Sequence, residues 1–395
     1  MVRNRWPFAV GAVLGLTFAA CGRPVTCARS GDSAAASGCN PVAITPRVDT
    51  LVASDTVQFP AGAQRATPPN SVAVAPVGAA FEPGTLSSAA IGSDLWPMTW
   101  ADDGNQYTAW GDGFGFAGGT TKWSYGISRI SGGPVGYTAT DVLHGPEGIN
   151  HGKIASMISV NGVLYLWMNT QDGLDPPTHR LYKSTNHGAS ITRVSGIKFP
   201  VAAAPELVNL GFVQMGQDNR AAIDSYVYLT ATNWQGSPGT SLLRVPVGRI
   251  EDQAAYEVFS GNANAPTWSS DLTKRAGLET VGAASYDGIT YNAALRGFVG
   301  LGGSPFVASV TVWFAPKPWG PWGRVADLWD PFGLNGAANP VSLGIAPKWL
   351  SADGREFWIV FSGTGSWDRL ALAKGLLQLS GDPPPAIKFP TGPRN

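Results

Sequence analysis

The chain has 395 residues, of which 27 are basic and 27 are acidic, so its formal net charge is zero. This balance lacks the basic excess of a nucleic-acid-binding protein, so nucleic acid is not expected as a partner. Only 14% of the residues are charged, whereas the chain has 50 glycines and 15 tryptophans. Few charges together with many glycines and aromatic residues predict a β-rich, turn-rich protein that works outside the cytoplasm.

Residues 1–21 have the pattern of an export signal. Arg3 and Arg5 precede an apolar run at 6–18 that is too short to cross a bilayer as a helix. The run ends in the sequence FAACG at 18–22, which is similar to the cleavage site of bacterial lipoproteins. We therefore predict a signal peptide, a lipid anchor on Cys21 and a position on the outer side of the cell membrane. Secretion without a lipid is the alternative.

Three regions follow the predicted signal peptide. Residues 22–70 are rich in Ala, Ser, Gly, Thr and Pro, which predicts a flexible linker, with one additional strand at 48–59. From residue 71 onward, short apolar or alternating runs recur between turn signals such as Asn161-Gly162, Asp287-Gly288 and Asp353-Gly354. Residues 383–395 form a proline-rich tail.

The spacing of these runs predicts the fold class. The strand–turn–strand unit returns about every sixty residues, which gives about five units between residues 71 and 382. We therefore predict an all-β, five-bladed β-propeller, in which residues 71–77 close the ring by pairing with the strand at 370–379. A large two-sheet sandwich is the alternative, and the lack of long amphipathic helices disfavours a (β/α) barrel.

The segment at 184–190, STNHGAS, is similar to the aspartate box, a hairpin turn that is common in sialidase-like propellers. Asn186 stands at the position of the aspartate and Ile191 at the position of the tryptophan. Its expected role is structural, with the polar side chain bonded to the backbone of the turn.

A hairpin at 94–112 carries the main functional candidates. The strands Asp94–Trp100 and 106–112 flank the turn signal Asp103-Gly104. Centring the hairpin on Asp103 places Asp94 opposite Asp112 and Trp96 opposite Trp110, all on one face. Two carboxylates and two tryptophans on one face are typical of a sugar site. The alternative is that Asp94 caps a turn and that the Gly-Asp-Gly at 111–113 is only a loop.

Several segments resemble the family catalogued as domain of unknown function 4185: IGSDLWPMTW at 91–100, TAWGDG at 108–113, NGVLYLW at 161–167, FAPKPWGPW at 314–322 and SADGREFWIVFSG at 351–363. The resemblance covers about residues 70–380. It implies a five-bladed propeller and, as in some members of glycoside hydrolase family 183, an endo-acting D-arabinan hydrolase. The second glycine at 111–113 stands where relatives often have threonine.

Glycoside hydrolysis requires two carboxyl groups. We predict that Asp94 and Asp112 are this pair, with Glu206 and Asp224 as alternatives that could instead cap or end loops. Directly paired strand residues have Cβ atoms about 5 Å apart. That distance is close to the carboxyl separation of retaining enzymes, about 5–5.5 Å, so the expected pairing favours retention.

Other residues are candidates for substrate binding. We expect Trp96 and Trp110 to form part of a sugar-binding wall, and Trp313 to stack on a sugar or to pack between blades. His151 and Lys153 could bind a sugar hydroxyl or tune the pKa of a carboxylate, or could lie in a solvated loop.

No zinc-type spacing and no phosphate-binding loop is present, so neither a metal nor a cofactor is expected. The sequence predicts a monomeric extracytoplasmic glycoside hydrolase, and the resemblance implies that it cuts inside an arabinofuranan-type polysaccharide of the cell wall. A non-catalytic carbohydrate-binding or scaffold propeller is the alternative.

Overall fold

The computed structural model describes residues 42–43, 47–48, 56–58, 73–170, 178–232, 239–278, 284–304, 307–329, 341–363, 368–382 and 386–388. The predicted signal peptide and Cys21 lie outside these residues. In the described ranges the helical segments are four short 3₁₀ turns: Gln217–Asn219, Val247–Arg249, Gln253–Ala255 and Leu272–Lys274. None of these could span a membrane.

Among the described residues, five antiparallel sheets of four or five strands are the blades of a propeller, and a sixth sheet has only two strands. Before the first blade lie β1 (Val42–Ala43), β2 (Arg47–Val48), β3 (Thr56–Gln58) and β4 (Gly78–Ala89). Blade 1 contains β5 (Asp94–Trp100), β6 (Gln106–Gly113), β7 (Trp123–Ser131) and β8 (Thr138–His144). Blade 2 contains β9 (Lys153–Val160), β10 (Val163–Thr170), β11 (Thr178–Ser184) and β12 (Thr192–Phe199).

The remaining blades repeat this order from the inside outward. Blade 3 contains β13 (Val208–Phe212), β14 (Tyr226–Thr232), β15 (Thr240–Pro246), β16 (Glu257–Phe259) and β17 (Trp268–Ser269). Blade 4 contains β18 (Ala284–Asn292), β19 (Gly297–Ser304), β20 (Val307–Ala315) and β21 (Gly323–Trp329). Blade 5 contains β22 (Val341–Ile345), β23 (Glu356–Ser362) and β24 (Leu370–Gln378). A last strand, β25 (Ala386–Lys388), pairs with β3.

The ring closes through β4, which pairs with β24 as the outer strand of blade 5. The prediction of a five-bladed propeller is therefore confirmed, as is the partner of the closing strand. The closing strand itself is Gly78–Ala89 and not 71–77, because the Ala- and Ser-rich sequence of β4 lacks the apolar signature of a strand. The short strands β1 and β2 add to blades 1 and 5.

The strand sequences reflect their place in the blade. Every residue of the inner strand β9 is buried, whereas the outer strand β12 has exposed residues between its buried ones. An inner strand packs against a neighbouring blade on each face, so it needs apolar or small residues at successive positions. The cores accordingly lie between blades, as where Trp167 packs with Phe199, Phe212 and Tyr256 of blades 2 and 3.

The first strand of each blade is its inner strand. We call the end of the propeller axis at which these inner strands begin the upper end, and we call the opposite end the lower end. At the lower end a hydrogen bond joins each pair of neighbouring blades. These bonds are Ser159 N to Thr99 Oγ1 (3.0 Å), Phe212 N to Ser156 Oγ (2.8 Å), Tyr291 N to Gln214 O (2.8 Å), Asn292 Nδ2 to Gly354 O (2.6 Å) and Lys348 N to Gln106 Oε1 (3.1 Å). The blades are thus held in a closed ring of neutral hydrogen bonds.

The aspartate-box-like segment forms the turn between β11 and β12. Asn186 Oδ1 accepts the Ser190 N–H at 3.0 Å, and Ser184 Oγ accepts the Gly188 N–H at 2.8 Å. His187, which has a φ of 54°, contacts Asp102 of blade 1 at 2.8 Å. The segment therefore has the predicted structural role, and it also links blades 1 and 2.

Candidate functional site

The topology brings most of the predicted polar residues to the upper end. Asp94 is the first residue of β5, Lys153 is the first residue of β9, and Glu206 lies just before β13. Asp112 lies near the end of β6, which runs antiparallel to β5 and therefore finishes where β5 starts. Residues far apart in the chain thus meet at one end of the axis.

The pairing of β5 with β6 differs from the predicted hairpin. Asp94 lies opposite Gly111, Leu95 lies opposite Trp110, and the register shifts between Leu95 and Met98. The predicted direct pairing of Asp94 with Asp112 is therefore wrong, and the preference for retention that rested on it has no support. The cause is a bulge: Leu95 and Trp96 have φ values of 79° and 69°, which uniform strand alternation does not anticipate.

The two carboxylates nevertheless lie together, because Asp112 has a φ of 47° that breaks the strand alternation. Its carboxylate bonds to Lys153 Nζ. Gly111 leaves the space for this group, since a Cβ there would lie 2.8 Å from Lys153 Cδ and 2.9 Å from Asp94 Oδ1. Asp94, Asp112 and Lys153, which we call the carboxylate cluster, thus surround Gly111.

The second glycine of the Gly-Asp-Gly segment has a separate role. A Cβ on Gly113 would collide with the side chain of Ser93. The Ser93 hydroxyl accepts the backbone N–H groups of Phe114 and Gly115, each at 2.9 Å. Ser93 thereby fixes the loop that follows Asp112, and only glycine at 113 lets it approach.

Asp94 is the perturbed acid of the carboxylate cluster. Its Oδ1 is buried and has no hydrogen-bond partner among the described residues. Burial, together with the negative charges of Asp112 and Asp368, raises the pKa of Asp94 to about 7, against the smaller opposing effects of Lys153 and Lys122. Asp94 can therefore hold a proton near neutral pH.

Lys153 lies inside the site, with its side chain 11% exposed. Its ammonium donates to Asp112 Oδ1 and, at 2.7 Å, to the carbonyl oxygen of Ile149. His151 is exposed, and its backbone N–H donates to Ser124 Oγ at 3.0 Å. Of this predicted pair, the structure places Lys153 against a carboxylate and leaves the His151 side chain in solvent.

The prediction that Trp96 and Trp110 form a sugar-binding wall is wrong. Their exposed fractions are 1% and 0%, and they belong to the core between blades 1 and 5. Trp96 Nε1 donates to the Ser93 carbonyl at 3.2 Å, and Trp110 Nε1 donates to Ser128 Oγ at 2.8 Å. A blade packs on both faces, so sharing a face with other candidate residues did not mean facing open space.

Asp224 and Trp313 do not lie with the carboxylate cluster. Asp224 precedes β14 in the turn after the first strand of blade 3, which places it at the lower end. Its carboxylate accepts the Tyr226 N–H at 3.0 Å and the Tyr228 hydroxyl at 2.7 Å, so its prediction as an alternative catalytic acid is corrected to a turn role. Trp313 lies towards the lower end of β20 and packs on the apolar cluster of blades 3 and 4, which corrects its prediction as a sugar-stacking residue.

Glu206 remains at the upper end, but it has a partner. Arg275 Nε donates to Glu206 Oε1 at 2.5 Å, and both side chains are largely buried. Arg275 Nη1 has no hydrogen-bond partner within the described part of the chain. Glu206 is thus a carboxylate fixed in an ion pair, in contrast to Asp94.

Two charged residues near Asp94 at the upper end were not predicted from the sequence. Asp368, in the connection between β23 and β24, raises the pKa of Asp94, and Lys122 lowers it. They face each other at 3.8 Å. No periodic pattern marks either residue, because both lie in irregular connections that approach Asp94 only through the fold. Among the residues described, no group of three or more His, Cys, Asp or Glu residues could hold a metal ion.

No family model matches the chain, and no curated protein matches it, so the resemblance to the domain of unknown function 4185 is not confirmed. Solved structures do match. A thermostable family-43 glycoside hydrolase has 14% identity and a TM-score of 0.45, over 82% of this chain and 98% of that one. A GH43_1 enzyme from Xanthomonas citri complexed with xylotriose has 12% identity and a TM-score of 0.46, over 78% and 95%. At these identities and TM-scores the likeness does not identify an activity.

Proposed function

We propose that this protein is a glycoside hydrolase that uses Asp94 and Asp112 as its two carboxyl groups. The observation that carries the proposal is the convergence of these residues around Gly111 at the upper end. The Oδ1 atom of Asp94 is buried and has no partner among the described residues, whereas Asp112 is ion-paired and its side chain is 31% exposed. Two carboxyl groups in different environments are what glycoside hydrolysis requires.

The chemistry divides between the two groups. The glycosidic C–O bond breaks with its electron pair on the leaving oxygen, which takes a proton from a carboxylic acid. One water is consumed: its hydroxyl ends on the anomeric carbon, and its other proton returns to the carboxylate pair. A raised pKa suits the acid, because the group must be protonated near neutral pH and still release its proton.

The proposed substrate is an arabinofuranan-type polysaccharide of the cell wall, cut at internal linkages by a monomeric enzyme. The resemblance of the segments at 91–100 and 108–113 to a family with D-arabinan hydrolases supports this choice, since these segments carry both carboxylates. The test is to incubate the purified protein with arabinan and with other cell-wall glycans and to analyse the released products.

Oligosaccharides from arabinan, absent with the Asp94→Asn variant, would support the proposal. Release of single sugars alone would contradict the internal mode of cutting. Binding of a glycan without any product would instead favour a carbohydrate-binding or scaffold propeller.

We also propose export and anchoring through Cys21, on the signal-like pattern of residues 1–22. Metabolic labelling with a palmitate analogue is expected to mark the wild-type protein and not the Cys21→Ala variant. Labelling that persists in the variant would contradict an anchor at Cys21.

A further inference from the structure

We infer that Lys153 is a positioning residue of the carboxylate cluster, which holds the Asp112 side chain in place and keeps the proton of Asp94 transferable. The inference rests on the proposed function and assigns roles within the same site. It concerns the cation that tunes Asp94, which the presence of two carboxylates alone does not identify.

The first support is the unequal bonding of the two acids. Lys153 Nζ donates to Asp112 Oδ1, whereas the buried Oδ1 of Asp94 has no hydrogen-bond partner in the part of the chain that the structure describes. A largely buried ammonium is costly unless a carboxylate opposes its charge. The ion pair with Asp112 therefore holds the Lys153 ammonium beside Gly111, within reach of Asp94.

The second support is that Lys153 is fixed on both sides. Its ammonium also donates to the Ile149 carbonyl at 2.7 Å. The segment around Ile149 is bonded to blade 1: Ser124 Oγ donates to the Gly148 carbonyl at 2.9 Å, and the Gly148 N–H donates to the Lys122 carbonyl at 2.8 Å. Lys153 thus extends from the first strand of blade 2 to a carboxylate of blade 1, and its freedom to leave Asp112 is small.

The third support is the set of charges that face Asp94. Asp112 on β6 and Asp368 before β24 oppose its ionisation, while Lys153 on β9 and Lys122 before β7 favour it. The Lys122 side chain is 42% exposed and Lys153 only 11%, so solvent screens Lys122 more strongly. Lys153 is thus the main cation that keeps the proton of Asp94 transferable.

The test compares the titration of Asp94 with the pH dependence of hydrolysis in matched variants. Removing the charge in Lys153→Met is expected to raise the midpoint of Asp94, seen by carbon-13 NMR of its carboxyl group, by about 0.5–1 pH unit. The high-pH limb of the activity profile should move in the same direction. Lys153→Arg keeps the charge, so its midpoint should stay near that of the wild type even if kcat falls.

Two other lysines provide controls. Lys122→Met should shift the Asp94 midpoint in the same direction by a smaller amount, because Lys122 is more exposed. Lys183→Met removes an ammonium that pairs with Glu251 at 2.8 Å on the outer part of blade 2, and should leave the midpoint unchanged. If Lys153→Met does not fold, judged by circular dichroism, Lys153→Gln takes its place as the neutral variant.

An unchanged Asp94 midpoint in the neutral variant would overturn the inference, as would an equal shift in Lys153→Arg. A fall in activity without any shift would show that Lys153 serves only to maintain the structure. The NMR titration needs no substrate, so it reports on Lys153 even if the wild-type protein hydrolyses no glycan. Failure of the proposed function is therefore distinguishable from failure of this inference.

Discussion

The two ends of the propeller axis are built in contrasting ways. At the lower end, hydrogen bonds such as Ser159 N to Thr99 Oγ1 and Asn292 Nδ2 to Gly354 O join neighbouring blades. At the upper end, charged side chains meet, and Asp94 has a buried oxygen without a partner among the described residues. The lower end fixes the blades, and the upper end holds reactive groups.

The backbone shows the same contrast. Left-handed residues at the lower end include Asn161, Asp218 and Asn219, which are residue types that tolerate this conformation, and also Arg296. At the upper end Leu95 and Trp96 adopt it, and such bulky residues do so at a cost on the order of 1–3 kcal/mol each. Strain of this size persists only where the surroundings enforce it.

The largest expected effect is on activity at the upper end. Asp94→Asn and Asp112→Asn should each lower kcat by about 10²–10⁴-fold, because each removes a group that transfers a proton or attacks the sugar. Circular dichroism should show that both variants are folded. The measurement is steady-state kinetics on the glycan from which the wild-type protein releases products in the proposed assay.

A folded variant that keeps more than about a tenth of the wild-type kcat would show that its carboxylate is not catalytic. Glu206→Gln would then be the next variant, since Glu206 also lies at the upper end. The matched control is Asp353→Asn, which changes a carboxylate in a turn of the lower end. It should keep most of the activity.

The largest expected effect on stability lies at the lower end. Arg355 and Asp382 form an ion pair with bonds of 2.9 and 3.1 Å, and both side chains are fully buried. Asp382→Ala leaves the buried guanidinium without this carboxylate and should lower the free energy of unfolding by about 3–5 kcal/mol. Urea denaturation followed by tryptophan fluorescence measures the change.

Asp353 provides the matched comparison for this ion pair. It lies 3.5 Å from Arg355 but is 37% exposed, so Asp353→Ala should cost only about 1 kcal/mol, mostly through its turn hydrogen bonds. Equal losses for the two variants would show that burial does not set the strength of these pairs. The carboxylate cluster of the folded Asp382→Ala protein should keep its proposed activity at low temperature.

The raised pKa of Asp94 predicts that the free energy of unfolding falls as the pH rises. In the folded chain this pKa is about 7, against an ordinary value of 3.8, so the folded state binds the proton more tightly than the unfolded state. The stabilisation is complete below about pH 4 and is lost as the pH rises through about 7. Each pKa unit corresponds to about 1.4 kcal/mol, so the loss should be on the order of 4 kcal/mol.

This pH-dependent loss of stability is measurable by comparing the free energy of unfolding of the wild type with that of Asp94→Asn. Other titrating groups are common to both chains and cancel in the difference. The unfolding free energy of the variant relative to the wild type should rise between pH 4 and pH 7 and then level off. A difference that does not change with pH would place Asp94 in a solvated environment.

The sequence was sufficient for the fold because its signals are local. The turn pairs Asn161-Gly162 and Asp353-Gly354 lie between strands as predicted, whereas Asp287-Gly288 lies inside β18 and is not a turn. It was also sufficient to bring Asp94, Asp112 and Lys153 to one site. The predicted position of the closing strand was wrong, because β4 is rich in small residues that carry no strand periodicity.

The details of the site could not be predicted in the same way. A bulge at Leu95 shifts the register by one residue, and only the left-handed backbone of Asp112 returns its side chain to the carboxylate cluster. Burial of Trp96 and Trp110 depends on the packing of blade 5 against blade 1. Asp368 approaches Asp94 from the far end of the chain, which only ring closure brings near. Each of these depends on tertiary contacts that no local pattern encodes.

The smallest expected effect concerns Asp224, the alternative carboxylate at the lower end. It accepts a backbone N–H two residues ahead and a tyrosine hydroxyl, an arrangement that Asp103 repeats with Asn105 and Tyr107 in blade 1. Asp224→Ala should therefore lower the free energy of unfolding by about 1 kcal/mol and leave kcat unchanged.

Asp224→Asn keeps one side-chain acceptor and should recover part of the stability lost in Asp224→Ala, which separates the turn hydrogen bonds from other effects. Denaturant unfolding and kinetics on the same preparations give both quantities. A folded Asp224→Asn protein that has lost activity as fully as Asp94→Asn would contradict the division between the two ends, because a catalytic carboxylate would then lie at the lower one. Retained activity in both Asp224 variants, together with its loss in Asp94→Asn, would place the chemistry at the upper end alone.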